Sequence, residues 1–106
     1  MNDLIIVAGF GPVGKAVVEV LGTNYSIAVV DPAFPDMCYK DINNALYDLT
    51  EMLSENIIGI VCCTENVEEI IKAARQYKFP VLLKSTVEMG DIINELNNAN
   101  FKVKNK

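Results

Sequence analysis

Gly9-Phe10-Gly11-Pro12-Val13-Gly14 sets three glycines at the G-x-G-x-x-G spacing, and Asp31 follows 20 residues after Gly11. The chemistry such a set suits is the holding of a diphosphate. Gly9 allows a tight turn, Gly11 lets a phosphate oxygen approach the backbone, and Gly14 lets a following helix pack close on the preceding strand. A helix that starts there offers N–H groups without intrahelical acceptors, and a partial positive charge. Asp31 would accept hydrogen bonds from adenosine ribose hydroxyls and repel a 2′-phosphate, which favours NAD over NADP as the cofactor. A match alone is common; one that follows a strand and opens a helix is specific. The competing reading keeps the glycines for geometry alone and leaves Asp31 as a surface acid.

Gly9, Gly14 and Lys15 also have the G-x-x-x-x-G-K spacing of the phosphate loop of nucleotide hydrolases. Ala16 stands where that loop needs a hydroxyl for magnesium, so Lys15 reads instead as an exposed helix residue able to pair with Glu19. The three cysteines, Cys38, Cys62 and Cys63, lack zinc or Cys-x-x-Cys spacing, and the chain has no histidine, so no metal site is expected. Cys62 and Cys63 read as small apolar residues ending a buried strand.

These residues need elements to hold them. Asp3 to Ala8 is an apolar run of the kind found in parallel strands covered on both faces. From Pro12 the period changes to that of a helix, with Val13, Ala16, Val17, Val20 and Leu21 on one stripe and Gly22 as its stop. Ser26 to Val30 predicts a second strand. Ala33 to Asp41, with Pro35 inside it, excludes a helix and leaves room for a short edge strand near Met37 to Tyr39. Ile42, Ala45, Leu46, Leu49, Met52 and Leu53 restore a helical stripe, and Ile57 to Cys63 predicts a third strand. Thr64 or Asn66 caps the next helix, where Asn66 and Glu69 have capping-box spacing and Val67, Ile70, Ile71, Ala74 and Tyr77 form the inner face. Pro80 to Lys84 is a fourth strand and Asp91 to Asn100 a last helix.

Alternation of this kind implies an α/β, Rossmann-type three-layer fold with a mainly parallel sheet of four to five strands. The strand at Ile5 is expected at its centre, flanked by those at Ser26 and Ile57. The 106 residues form one domain, with 101–106 expected to be a frayed tail.

The segment Lys84-Ser85-Thr86-Val87-Glu88-Met89-Gly90 resembles the K-S-T-[V/I]-P-V-G stretch of the UDP-glucose/GDP-mannose dehydrogenase family, in its N-terminal NAD-binding domain. Ile5 to Gly14 is similar to that family's opening strand and glycine turn, and Ile60 to Thr64 to its strand ending in a threonine-bearing loop. The likeness spans residues 4 to about 97. It implies that Thr64, Ser85 and Thr86 line the cofactor site, with Thr86 near the nicotinamide and helping to position a catalytic water if the chain acts as an oxidoreductase. The chain departs from the family in the proline-bearing Ala33 to Asp41, which replaces a helix, and in Glu88 and Met89. It stops before the region that supplies the family's nucleophilic cysteine, catalytic lysine and sugar contacts.

Three functions follow: an NAD-binding module without the full reaction, which sequesters or senses NAD or supplies it to a partner protein; a minimal NAD-dependent oxidoreductase working as a homo-oligomer; or a structural protein that kept the fold and lost the ligand. The apolar content of 51% is compatible with a homodimer in each case. A net charge of −5 and a pI near 4.6 oppose nucleic-acid binding. No apolar run reaches the roughly 20 residues of a membrane span, and Met1-Asn2-Asp3 has no cationic flank, so a cytoplasmic protein is expected.

Overall fold

β1, Asp3–Ala8, is buried from Leu4 to Ala8 because helices cover both of its faces. The computed structural model of the chain describes residues 3–103. After β1 come α1 (Pro12–Leu21), β2 (Ser26–Val30), α2 (Ile42–Tyr47), a π-helical turn (Asp48–Met52), β3 (Asn56–Cys62), α3 (Val67–Tyr77), β4 (Val81–Leu83) and α4 (Ile92–Asn98). The sheet order is β2-β1-β3-β4 and every pairing is parallel. The chain is therefore an α/β protein of the Rossmann type, with β1 central between β2 and β3 as the sequence predicts. Tyr39 adds a single parallel bridge to Val30 on the outer edge of β2, where an edge strand was expected.

Strand alternation sorts the core into two layers. Leu4, Ile6 and Ala8 face α2 and α3 through Ile42, Leu46, Ile70 and Ala74, whereas Ile5 and Val7 face α1 and α4 through Val17, Leu21, Ile92 and Leu96. The register of β1 on β3 slips once, since Leu4 pairs with Ile57 and Ile5 with Gly59. Ile58 is thus an extra residue, a bulge. Beyond it Gly59 lies against Phe101, whose ring a Cβ at position 59 would meet at 2.3 Å.

Several sequence expectations change here. Phe101 is only 2% exposed and its N–H is bonded to Leu96 O, so the expected frayed tail is anchored at its start; residues 104–106, with Lys104 and Lys106, lie outside the described residues. Val20 is 42% exposed, and Val18 packs on the core instead, because α1 sits with Gly14, Val17 and Leu21 against the sheet. Met52 and Leu53 are 63% and 55% exposed. The π turn explains them: the Thr50 hydroxyl donates to Leu46 O at 2.6 Å, competing for the carbonyl that an α-helical N–H would use, and the wider turn carries Met52 and Leu53 off the inner stripe. Among the described residues no helix is long and apolar enough to cross a membrane.

Candidate functional site

The strand order reverses between β1 and β3: β1 leads outward to β2, and β3 leads the other way to β4. Open α/β sheets bind ligands at the carboxyl ends of strands beside such a reversal. Three hydrogen bonds close these ends around the glycine turn. Gly9 N donates to Val30 O at 2.8 Å, Cys63 N to Ala8 O at 2.7 Å, and Phe10 N to Asp31 Oδ2 at 2.7 Å.

The three glycines of the turn differ in what demands them. Gly9 has φ +102°, and a Cβ there would lie 2.9 Å from the backbone of Cys63. A Cβ on Gly14 would lie 1.8 Å from Gly9 O. Gly11 has an ordinary φ of −79°, and a Cβ on it would meet nothing within 4 Å. α1 begins at Pro12, and its first backbone bond runs from Lys15 N to Gly11 O at 2.9 Å, so the N–H groups of Val13 and Gly14 precede the intrahelical ladder.

Asp31 holds more of the site than its spacing implied. One carboxylate oxygen accepts from Phe10 N in the turn; the other accepts from Ala33 N at 2.9 Å. The two segments so tied carry Phe10 and Phe34, whose rings meet edge to face at 5.5 Å, and Lys15 Nζ lies 5.5 Å and 5.7 Å from the two ring centres. Lys15 therefore reaches back over the turn onto aromatic faces, and the expected pair with Glu19 does not form.

A cleft of about 400 Å³ opens beside the turn, within the size range of small-molecule sites. Ala8, Gly9 and Val30 line it from the strand ends. Asp31, Pro32, Lys40, Asp41 and Ile42 form one wall, and Thr64, Asn66, Glu69 and Ile70 the other. Asp41 caps α2 by accepting from Asn44 N at 2.9 Å. Asn66 occupies the N-cap of α3, but its side chain makes no capping bond, so the expected capping box with Glu69 is absent.

Of the sequence candidates, Gly9, Asp31 and Thr64 meet in this cleft, and Phe10, Gly11, Pro12, Val13 and Gly14 form its adjoining turn. Ser85 and Thr86 are exposed in the loop after β4 and lie outside the lining of the cleft. Lys84 anchors that loop, with its N–H bonded to Cys62 O at 2.9 Å and its ammonium 3.2 Å from Glu95 on α4. Lys40, Asp41, Asn66 and Glu69 join the site from helix starts, and of these only the last two were singled out in sequence, as a cap. Cys63 lies near Lys84, yet burial, with the neighbouring Cys62, pushes its thiol up to about 12. No cysteine lines the cleft, and no group of three His, Cys, Asp or Glu side chains among the described residues could hold a metal ion. Comparison with models of protein families, with curated proteins and with solved structures gives no match for this chain.

Proposed function

We propose that this chain is an NAD-binding module, resembling the cofactor domain of the UDP-glucose/GDP-mannose dehydrogenase family. The observation that carries this reading is Gly11. Packing and φ explain the glycines at positions 9 and 14, but neither requires one at 11, the N-cap of α1, where Ser, Thr, Asp or Asn would serve the helix as well or better. A phosphate drawn close against the turn does ask for it.

The donor set fits the group. The N–H groups of Val13 and Gly14 would receive the diphosphate at the start of α1. Each Asp31 oxygen is engaged by one N–H, and a carboxylate has about four acceptor positions, so two remain for ribose hydroxyls. The cleft between the start of α2 and the start of α3 would take the adenosine base. Asp31, Asp41 and Glu69 make that region acidic, with Lys40 the cation on its lining, which disfavours a 2′-phosphate. Bound NAD would supply a hydride acceptor; these residues bind and orient it.

Calorimetric titration with NAD, NADP, ATP and UDP-glucose tests the reading. NAD binds, and binds more tightly than NADP. Gly11→Ala stays folded, with at most the small loss of an N-cap preference, and weakens NAD by at least about tenfold, the loss of one or two good hydrogen bonds. A parent protein silent to NAD at millimolar concentration, or a Gly11→Ala variant that binds as the parent does, refutes it.

A further inference from the structure

Three carboxylates line the cleft, and the fold has already engaged two of them. Asp31 receives Phe10 N and Ala33 N; Asp41 receives Asn44 N at 2.9 Å and Asn44 Nδ2 at 3.0 Å. Glu69, on the opposite wall, makes no hydrogen bond or ion pair among the described residues. Its neighbour Thr64 is turned to the backbone, accepting from Asn66 N at 3.4 Å. Besides the lone pairs left on Asp31 and the side-chain amide of Asn66, the cleft thus offers Glu69 as its one carboxylate with no protein partner among the described residues, beside the apolar side chains of Val30, Pro32, Ile42 and Ile70, surfaces suited to a flat ring.

We infer that Glu69 reads the six-position of the base, making this cleft selective for a 6-aminopurine. The inference rests on the dinucleotide reading and adds the rule by which the base is chosen. An exocyclic amine facing Glu69 donates to the carboxylate. A 6-oxo group in the same place sets a carbonyl oxygen against a carboxylate, and two acceptors without a proton between them repel. Glu69 also lies in the first turn of α3 beside Glu68, where either acid favours the helix dipole. A dipole role leaves base preference untouched, which separates the two.

The experiment is titration of the whole chain with NAD and with nicotinamide hypoxanthine dinucleotide, in which an oxo group replaces the amine. The parent prefers NAD by about tenfold or more, the scale of one charged hydrogen bond replaced by repulsion. In Glu69→Gln the preference shrinks to within about threefold, because an amide can accept from the amine or donate to the oxo group. Glu68→Gln, outside the cleft, keeps the parent preference. Equal binding of both dinucleotides by the parent, or an unchanged preference in Glu69→Gln, overturns the inference while leaving the NAD reading standing. A parent that binds neither dinucleotide overturns the NAD reading itself, and this inference with it.

Discussion

Gly11 and Gly14 stand three residues apart in one turn, yet a methyl group added to each meets opposite surroundings. Gly14→Ala drives a Cβ into the Gly9 carbonyl, so the start of α1 must shift and the melting temperature falls by several degrees, whereas Gly11→Ala loses only the modest N-cap preference of glycine over alanine and melts closer to the parent; thermal melts of the two variants check this. Asp31 does not separate so cleanly. Asparagine at 31 sets an amide NH2 against an N–H of Phe10 or Ala33, so Asp31→Asn disturbs the turn as well as any ribose contact, and Gly11 is the better probe of the ligand. The thiols give a third test. With Cys63 pushed up to about 12 by burial and Cys62 raised by burial as well, both are protonated at neutral pH. Alkylation at pH 8 is therefore much slower than for a free thiol and speeds up on unfolding in denaturant, as labelling kinetics followed by mass spectrometry will record.

At the scale of elements, β1, β2 and β3 were legible because an unbroken apolar run between turn residues is what a strand covered on both faces requires. The glycine turn and Asp31 were legible for the same local reason. The bulge at Ile58 was not, since it exists only in the pairing of β3 with β1, and Phe101 was hidden behind the polar run Asn97, Asn98 and Asn100. Asn66 and Glu69 show the limit best: their spacing suggests a local cap, but the convergence of two helix starts on one cleft is tertiary. The contact between Gly59 and Phe101 leads to a prediction. Gly59→Ala overpacks the ring, at a cost of about 1–3 kcal/mol, and Phe101→Ala removes it, at about 3–5 kcal/mol. Because the second change clears the space that the first fills, the double variant is less destabilised than the sum, in denaturant melts. The segment before α2 has its own pH signature. The hydrogen bond to Asp48, with burial and the charges of Asp48 and Glu55, raises the Tyr39 hydroxyl from 10 to about 12. The folded state holds this proton more tightly than the unfolded, so the contribution is complete below pH 10 and is lost as pH rises toward 12; Tyr39→Phe removes that part of the alkaline stability loss.

The whole molecule joins a glycine turn to an acidic surface, with a net charge of −5. None of its thiols lines the cleft, so a mixture of NAD, UDP-glucose and this chain alone forms no NADH, measured by fluorescence; stoichiometric NADH would show an oxidising site that these residues do not suggest. The treatment of the sheet margins bears on behaviour at high concentration. Tyr39 N donates to Val29 O and Asp31 N to Tyr39 O, each at 2.8 Å, so the outer side of β2 is already engaged near its end, and Pro35 prevents the segment before Tyr39 from becoming a full strand. The opposite margin, β4, is three residues long. Neither rim offers a long, flat row of backbone donors and acceptors for another chain to copy, which is how natural sheets resist fibre growth. The molecule is thereby protected from edge-to-edge polymerisation, and any association between copies falls to the helical faces, where exposed Tyr47, Met52 and Leu53 lie.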